Sequence, residues 1–503
     1  MSLLHNRFGL KPNPSQAFPK LPQFSAFMKP CRFEGEVRDL EVEGTIPPEI
    51  HGTFFRVMPD PAYPPYVDDD GWFNGDGAVS AFEIKDGRVQ FKQRYVRTEK
   101  FVAERKAHKM LTGKYRNKYT DLVELQVRTT ANTNIFPYKD FLLAIKEDAH
   151  PYAMDAKTLE TIGLYDFEGQ LPSTTFTAHP KVDAKTGEML CFGYEAKGDG
   201  TPDVCYYTID SEGKFTQSVW MTAPVVGLMH DFAFTDNYVI FPIIPQLCDI
   251  ERLKEGGSHW EWDGNCPLYI GVLPRYGAKG TDVKWFEYKT SFPGHTANAY
   301  EDDSGNILLD MPLSMSNVFF WWPDAQGVSP DPRTIKSDLV RFTINPAAED
   351  LQLAQPEVLI DHDVEFPRID DRWGGKKHRH CFFDHMDPSL GTDFAAIGPA
   401  MGGGYPPYNS LGHLDLETRK LDVYFPGSTH MCQEPVFIPT TDKEGEGYLL
   451  ALVNNYRTMM SELHLVSTAD FSKPAAVINL PMRLRAGLHG NWVDGQDLQL
   501  DFD

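Results

Sequence analysis

Four short segments, each with one histidine, decide the fold of this chain: Thr177-Ala178-His179-Pro180, Met229-His230-Asp231-Phe232, Gly294-His295-Thr296-Ala297 and Leu488-His489-Gly490-Asn491. They are spread over more than half of the sequence, so no single helix or strand can carry them together. Histidines this far apart meet only where separate strands converge radially, as the blades of a β-propeller converge on its axis. Pro180 and Gly490, which directly follow two of the histidines, are typical of strand ends.

From about Glu36 onward, short apolar runs alternate with Gly, Pro, Asn and Asp, a pattern that predicts many short strands. The clearest predicted strands cover residues 88–96, 237–245, 306–311, 420–425 and 447–454. Turn pairs such as Asp86-Gly87, Thr186-Gly187 and Ser304-Gly305 separate apolar runs in the manner of hairpin loops. The fold class is therefore all-β, although no repeat of fixed period gives the number of blades.

Composition excludes several classes of partner. The 503 residues include 71 acidic and 48 basic side chains, and the net charge of -23 disfavours nucleic acid and anionic membrane surfaces. Seven scattered cysteines without a CxxC pair predict neither a disulfide framework nor a zinc ribbon. Without a signal-peptide pattern or a long apolar run, we expect a cytoplasmic protein with no stable membrane insertion. The oligomeric state stays open.

One stretch departs from the strand pattern. Residues 98–112 lack Gly and Pro and place Ala103, Ala107, Met110 and Leu111 at helical spacing. We expect a helix over one mouth of the propeller, which either walls a substrate tunnel or only caps exposed strand ends. The proline-rich residues 1–35 form an N-terminal arm that wraps the propeller or closes its first and last blades, and we expect no site residue in it.

A second histidine cluster competes with the four separate segments. The sequence has 16 histidines, and His378-Arg379-His380, with His385 nearby, contains an HxH pair. On a strand such a pair puts both imidazoles on one face, which suits a metal site. By spacing alone, this cluster is the stronger candidate.

The wider sequence around the separate histidines favours them instead. TAHPK (177–181), MHDFAFT (229–235), GHTANAYED (294–302) and LHGNW (488–492) resemble, in this order, the ligand segments of the carotenoid cleavage oxygenase family. The resemblance is closest to the branch that cleaves stilbenes and phenylpropenes. It implies a seven-bladed β-propeller over residues 36–503, with helical and loop insertions that cap one face over the active site. It also implies one non-haem Fe(II) held by His179, His230, His295 and His489.

The same resemblance implies three supporting glutamates, Glu147, Glu365 and Glu434. A metal-bound histidine usually donates its other N–H to a carboxylate, which orients the ring. In the family, such glutamates support the second, third and fourth histidines. Glu147 has an alternative interpretation as a solvated strand residue, because it lies between Lys146 and Asp148.

The family branch also points to a substrate pocket. The resemblance implies that Tyr115 and Lys146 grip a para-hydroxyl group and that Phe73 stacks on the substrate ring. Separately, the aromatic run Phe319-Phe320-Trp321 predicts a hydrophobic tunnel wall, with a packed core as its alternative. A buried lysine beside a phenolate keeps its charge and helps to take the phenol proton. Adjacent residues of a regular strand face opposite ways, so Lys146 and Glu147 both reach the site only where a strand bulges or ends. A packed aromatic core is the alternative for Tyr115 and Phe73.

The implied activity is oxidative cleavage by O2 of the C=C bond in the side chain of 4-hydroxyphenyl alkenes. Isoeugenol, 4-vinylguaiacol and hydroxystilbenes such as resveratrol are the expected small-molecule substrates, and vanillin or 4-hydroxybenzaldehyde the aromatic products. Two alternatives stay open: the same chemistry on a carotenoid or apocarotenoid, and a non-catalytic propeller that serves as an interaction platform. The sequence does not separate one-ring from two-ring substrates, because pocket depth depends on loop packing.

Overall fold

The computed structural model describes residues 17–67, 71–401, 408–495 and 500. Their strands form seven antiparallel sheets of four to six strands each. Each sheet contacts the next, and the seventh contacts the first, so the sheets form a closed ring. The predicted seven-bladed β-propeller is confirmed. We number the blades 1 to 7 around the ring and call the strand nearest the axis the inner strand.

The first three blades have unbroken inner strands, and their strands follow one another from the axis outward. Blade 1 contains Gly490–Asp494, Gly52–Pro59, Gly77–Lys85, Arg88–Tyr95 and Gly35–Val37. Blade 2 contains Asn134–Tyr138, Phe141–Ile145, Tyr152–Asp155 and Thr161–Leu164. Blade 3 contains Lys181–Val182, Met189–Tyr194, Asp203–Ile209 and Phe215–Thr222.

In three of the remaining four blades the inner strand is broken into two pieces. Blade 4 contains Gly227–Leu228 with Ala233–Phe234, then Tyr238–Leu247, Leu268–Pro274 and Lys284–Tyr288, and Glu261–Trp262 also pairs with Tyr238–Leu247. Blade 5 contains Phe292–Pro293 with Asn298–Glu301, then Ile307–Ser314, Ser337–Ile344 and Glu357–Ile360. Blade 6 contains Asp363–Arg368, His380–Met386, Ser410–Asp415 and Lys420–Tyr424. Blade 7 contains His430–Cys432 with Val436–Pro439, then Gly447–Asn455, Met460–Ser467, Pro474–Asn479 and Glu41–Gly44.

The ring is closed by strands from both ends of the described sequence. The late strand Gly490–Asp494 pairs with Gly52–Pro59 and becomes the inner strand of blade 1. The early strand Glu41–Gly44 pairs with Pro474–Asn479 and becomes the outer strand of blade 7. Of the predicted N-terminal arm, the structure describes residues from 17 onward, and Arg485 donates a hydrogen bond of 2.7 Å to the carbonyl of Met28 there.

The hydrophobic core is divided among the blade interfaces. Within the described residues, seven clusters of buried side chains each lie between two neighbouring blades. Successive residues of a strand feed different clusters, as Phe54 packs toward blade 7 and Phe55 toward blade 2. This follows from the alternation of side chains along a strand. Strands buried on both faces explain why the apolar runs of the sequence lack a strict polar alternation.

The described helices are few and short. The α-helices are Glu99–Ala107, Ile250–Lys254 and Phe394–Met401. Single 3₁₀ turns are Pro22–Phe24, Ala26–Met28, Trp72–Asn74, Lys118–Thr120, Gly280–Asp282, Pro332–Thr334, Asp371–Trp373 and Pro388–Leu390. None of these described helices is long and apolar enough to cross a membrane.

The helix expected over residues 98–112 is shorter than predicted. It begins at Glu99, where the Thr98 hydroxyl accepts a hydrogen bond from the Phe101 amide, and it ends at Ala107 because His108 adopts a left-handed conformation with φ of 54°. Met110 and Leu111 therefore lie outside the helix. Its buried face carries Lys100, Phe101 and Glu104 rather than the alanines.

Two of these buried residues carry charges that pair with each other. Lys100 Nζ lies 2.7 Å from Asp76 Oδ1 and 2.9 Å from Glu104 Oε2. Glu104 Oε1 also accepts hydrogen bonds from the amides of Leu111 and Thr112, at 2.9 and 3.0 Å. The charged face of the helix thus anchors the loop that leads to Tyr115.

We expect Lys100→Ala to lower the free energy of unfolding by about 3 kcal/mol, because Asp76 and Glu104 would be left buried without their counter-charge. Lys106→Ala, on the exposed side of the same helix, is the matched control and should change the free energy of unfolding by less than about 0.5 kcal/mol. Chemical denaturation of both variants measures the difference. Equal stability of the two would show that the buried ion pairs contribute little.

Candidate metal centre and adjoining cavity

The structure brings the four histidines together at the propeller axis. The Nε2 atoms of His179 and His230 lie 3.2 Å apart, and those of His230 and His295 lie 2.9 Å apart. Ligand atoms of all four histidines, His489 included, lie within 4.8 Å of one another. This convergence of ring nitrogens on one point is the geometry of a metal site.

Each histidine occupies an end or a break of an inner strand. His179 precedes Lys181–Val182 of blade 3, and His489 directly precedes Gly490–Asp494 of blade 1. His230 and His295 lie in the gaps of the two-piece inner strands of blades 4 and 5. A residue at such a point is free of the regular alternation of the strand, so its imidazole can turn toward the axis.

The remaining three blades contribute the three glutamates. His295 Nδ1 lies 2.7 Å from Glu365 Oε2, and His489 Nδ1 lies 2.7 Å from Glu434 Oε1. His230 Nδ1 contacts Glu147 in the same way. Because each Nδ1–H is donated to a carboxylate, the Nε2 lone pair of these rings is left to face the axis. Every blade therefore supplies one group to the centre: a histidine from blades 1, 3, 4 and 5, and a glutamate from blades 2, 6 and 7.

His179 has a different environment, which the sequence did not reveal. Its nearest carboxylate oxygen is Asp231 Oδ1, 3.9 Å from Nδ1. Asp231 pairs instead with Lys181 Nζ at 2.8 Å and accepts hydrogen bonds from the amide and hydroxyl of Thr296, at 2.8 and 2.9 Å. Asp231 thus ties together the segments that carry His179, His230 and His295.

Burial and charge set the protonation of the cluster. Burial lowers the pKa of His179 well below its usual value and that of His489 to about 4, so both rings are neutral near pH 7. Burial by itself would lower the pKa of His295, but the hydrogen bond to Glu365 and the charges of Glu365, Asp231 and Glu434 together raise it. Burial would raise the pKa of Glu434, but Arg368, His489 and the Gly490 amide together lower it to about 2. Imidazoles backed by carboxylates fit one divalent ion of the first transition row.

The competing HxH cluster does not assemble. His378 Nδ1 lies 3.1 Å from Asn298 Nδ2, His380 Nδ1 lies 3.0 Å from His413 Nε2, and His385 Nε2 lies 2.6 Å from His362 Nδ1. The three side chains face three different partners. The spacing of the histidines in the sequence therefore favours a cluster that does not converge in the structure.

An aromatic cavity of about 200 Å³ opens on the histidine cluster and includes His230, His295 and His489 in its lining. Its aromatic lining residues are Trp72, Phe73, Tyr115, Trp260, Phe292, Phe319, Trp321, Trp322, Phe366 and Tyr408. The ring centroid of Phe73 lies 5.5 Å from that of Phe319 and 6.3 Å from that of Tyr115. The predicted pocket residues Phe73, Tyr115 and Phe319 thus share one cavity.

Other lining residues were missed by the sequence interpretation. Met28 lines the cavity from the N-terminal arm, where we expected no site residue. Trp322 extends the wall beyond the predicted residues Phe319 and Trp321, the predicted Phe320 is not among the lining residues, and Asp384 lines the cavity from blade 6. The aromatic run from Phe319 onward was the one sequence signal for this wall. The positions of Met28 and Asp384 depend on packing between distant segments.

A second, more polar cavity of about 300 Å³ also includes His295 and His489 in its lining. Its other lining residues include Lys181, Asp231 and Arg368. The histidine cluster therefore lies between an aromatic cavity and a polar one. An apolar, ring-shaped molecule fits the aromatic cavity.

Lys146 and Glu147 both reach the interior because the strand Phe141–Ile145 ends just before them. Glu147 turns to His230, whereas Lys146 lies against Tyr115, with Nζ 4.5 Å from the ring centroid. Lys146 Nζ also donates to Thr130 Oγ1 at 3.0 Å and pairs with Asp148 Oδ2 at 2.9 Å. Burial lowers the pKa of Lys146, and Asp148 opposes that shift. Lys146 is thus a buried neighbour of the cavity wall rather than one of its lining residues.

We expect Glu434→Gln to weaken metal binding by about 10- to 100-fold, because the amide cannot stabilise the Nδ1–H of His489 as a carboxylate does. Competition with a coloured chelator measures the affinity without any turnover. Glu446→Gln, an exposed change in the same blade, is the control and should bind metal like the unchanged protein. Equal affinities would remove Glu434 from the site.

Comparison with known proteins agrees with this architecture. The family model described as "RPE65: Retinal pigment epithelial membrane protein" matches residues 28–494. Resveratrol cleavage oxygenase 1 of Aspergillus fumigatus is 65% identical over 483 residues, which are 96% of this chain and 97% of the relative. Carotenoid cleavage oxygenase 1 of Neurospora crassa is 55% identical over 477 residues, which are 94% of this chain and 91% of the relative.

A solved structure extends the likeness to three dimensions. The crystal structure of Pseudomonas brassicacearum lignostilbene dioxygenase superposes with a TM-score of 0.92 at 43% sequence identity, and the match covers 96% of this chain and 100% of that one. Both the family model and the relatives span nearly the whole described propeller. The chain therefore belongs to the RPE65/carotenoid cleavage oxygenase family, a family of non-haem iron oxygenases that cleave alkenes.

Proposed function

We propose that this protein is a non-haem Fe(II) dioxygenase that converts 4-hydroxyphenyl alkenes to aromatic aldehydes by cleaving the C=C bond beside the ring. The observation that carries the proposal is the Tyr115–Lys146 pair, placed at the wall of an aromatic cavity that opens on the four-histidine cluster. A phenol-recognising pair beside an apolar cavity fits a phenolic ring with an alkene substituent. The names of the resveratrol-cleaving and lignostilbene-cleaving relatives support the same substrate class.

His179, His230, His295 and His489 would hold the iron, and Glu147, Glu365 and Glu434 would orient three of these ligands. Iron(II) bound there supplies the binding and activation of dioxygen. The overall reaction is balanced without a reductant, because the C=C bond and the O–O bond break while two C=O bonds form. The protein therefore has to hold the alkene over the cluster and raise its reactivity.

Tyr115 and Lys146 would act on the phenol of the substrate. Tyr115 lines the cavity, and the ammonium of Lys146 lies against the Tyr115 ring. A positive charge at this depth stabilises a phenolate more than it would in water, because the surroundings are desolvated. A phenolate donates electrons through the ring to the alkene, which makes the alkene more nucleophilic toward dioxygen.

The aromatic walls would orient the substrate ring. Phe73 is the centre of the wall, since its centroid lies 5.5 Å from those of both Phe319 and Trp321 and 6.0 Å from that of Trp322. Rings packed in edge and tilted contacts keep each other in place. Such a wall holds a flat substrate at a fixed height over the histidines and excludes water from the phenolate.

The alternative polyene substrate is favoured by one name among the relatives, carotenoid cleavage oxygenase 1 of Neurospora crassa. Two observations count against it. The cavity of about 200 Å³ suits a compact aromatic compound better than a long polyene. A polyene also offers no phenol group to the Tyr115–Lys146 pair. The second alternative, a non-catalytic interaction platform, does not explain why four histidines and three glutamates converge on the axis.

The direct test is aerobic incubation of the iron-loaded protein with isoeugenol, 4-vinylguaiacol, resveratrol and an apocarotenoid, each alone, followed by quantification of the aldehydes. Vanillin or 4-hydroxybenzaldehyde from the phenolic substrates is the expected result. If only the apocarotenoid gives aldehydes, the result would support polyene cleavage instead. Little bound iron and no aldehyde would support the platform.

Lys146→Met should lower kcat/KM for phenolic substrates by about 100-fold, because proton transfer from the phenol loses its cationic partner. Iron content should stay that of the unchanged protein, since Lys146 does not contact the histidines. The matched control is Lys139→Met, an exposed change in the same blade. Methylation of the substrate's para-hydroxyl should remove the difference between Lys146→Met and the unchanged protein, and unchanged rates on the free phenol would refute the role of Lys146.

A further inference from the structure

Asp384 is a buried carboxyl group to which the described residues offer no hydrogen-bond partner. It lies on the blade 6 strand His380–Met386, opposite Glu365 of the inner strand, and only 1% of its surface is exposed. Within the described part of the sequence, neither carboxyl oxygen has a hydrogen-bond partner. Leaving a buried polar group unsatisfied destabilises the folded protein, so a carboxyl with two such oxygens requires an explanation.

The side chain of Asp384 belongs to the aromatic cavity over the histidine cluster. It lines that cavity together with Tyr408 and with Glu365 and Glu434. Most of the rest of the lining is aromatic or aliphatic. A polar group without a partner in the wall of a largely apolar cavity is typical of a residue that orients a ligand.

The order of the blades places Asp384 far from the phenol-binding pair. Lys146, against which Tyr115 packs, follows the second strand of blade 2, and Asp384 lies in blade 6. In a ring of seven blades, blades 2 and 6 lie on opposite sides of the axis. The histidine cluster occupies the axis between them. A molecule held by its phenol at Tyr115 therefore extends across the cluster toward Asp384.

We infer that Asp384 is a specificity-determining residue that hydrogen-bonds a hydroxyl on the far ring of a two-ring hydroxystilbene. This inference rests on the proposed function and narrows its substrate class. A one-ring phenylpropene held at Tyr115 ends near the cluster and leaves Asp384 unpaired. A stilbene with a hydroxyl on its second ring satisfies the buried carboxyl, while its central C=C bond lies over the histidines.

The charge state of Asp384 suits this task. Burial raises the pKa of its carboxyl well above the usual value, and the nearby charges of Glu434 and Glu365 raise it further. Both effects favour the protonated carboxyl. A neutral carboxyl both donates and accepts a hydrogen bond, and so does a phenolic hydroxyl.

The test compares resveratrol, which has hydroxyls on its second ring, with 4-hydroxystilbene, which has none. Under anaerobic conditions, binding of each ligand is measured by quenching of the fluorescence of the tryptophans that line the cavity. The unchanged protein should prefer resveratrol, and Asp384→Leu should reduce that preference by about tenfold. Asp384→Asn keeps a donor and an acceptor and should retain part of the preference. The ratio of kcat/KM values for the two substrates should move in the same way.

Asp422→Asn, on the outer strand of the same blade, is the matched control and should leave the preference for resveratrol unchanged. Thermal unfolding gives a second readout: Asp384→Leu should be as stable as the unchanged protein or more so, because it removes an unsatisfied buried group. A large loss of stability in Asp384→Asn would show a structural role and overturn the inference. An equal loss of affinity for resveratrol and 4-hydroxystilbene in Asp384→Leu would overturn the inference as well.

The binding measurement also separates this inference from the proposed function. If resveratrol binds with the expected preference but no aldehyde forms in air, the proposed cleavage fails and the role of Asp384 stands. If both stilbenes are cleaved and Asp384→Leu does not change their ratio, cleavage stands and the role of Asp384 is wrong. Water alone would then satisfy its oxygens.

Discussion

The site depends on closure of the propeller ring by the last described strand. His489 reaches the other histidines only because Gly490–Asp494 inserts beside Gly52–Pro59. Three blades then fix the backbone around His489: its carbonyl accepts from the Val57 amide at 3.1 Å, its amide donates to the Thr133 carbonyl at 3.1 Å, and the Gly490 amide donates to Glu434 at 2.9 Å. Folding of the ring and assembly of the fourth ligand are therefore one event.

Electrostatics explain why the centre is built from all seven blades. Neutral imidazole ligands do not compensate the positive charge of a divalent ion. The three glutamates supply negative charge without occupying coordination positions, because one imidazole ring separates each carboxylate from the ion. The same carboxylates act on their surroundings. Glu434 is stabilised by Arg368, and burial together with the nearby charges of Glu434 and Glu365 raises the pKa of Asp384. One set of charges thus orients the ligands and sets the polarity of the adjoining cavity.

The cavity is assembled from segments that the ring brings over one mouth. Trp72 and Phe73 come from a turn in blade 1, Phe319 and Trp322 from a long loop in blade 5, and Tyr115 from the connection between blades 1 and 2. The helix Glu99–Ala107 helps to position this wall, because Glu104 accepts hydrogen bonds from the amides of Leu111 and Thr112, which begin the loop to Tyr115. Of the two roles expected for that helix, positioning of a cavity wall is the one that these contacts support.

The sequence by itself determined the all-β class, the positions of several strands and the histidine segments, because side-chain alternation, turn chemistry and family motifs are local properties. Predicted strands such as 88–96 and 447–454 differ from Arg88–Tyr95 and Gly447–Asn455 by a single residue. Only the tertiary structure decided that the HxH histidines separate, that Lys146 lies behind Tyr115, and that Met28 and Asp384 line the cavity. These outcomes depend on which distant segments the closed ring places side by side. Local sequence patterns do not specify those contacts.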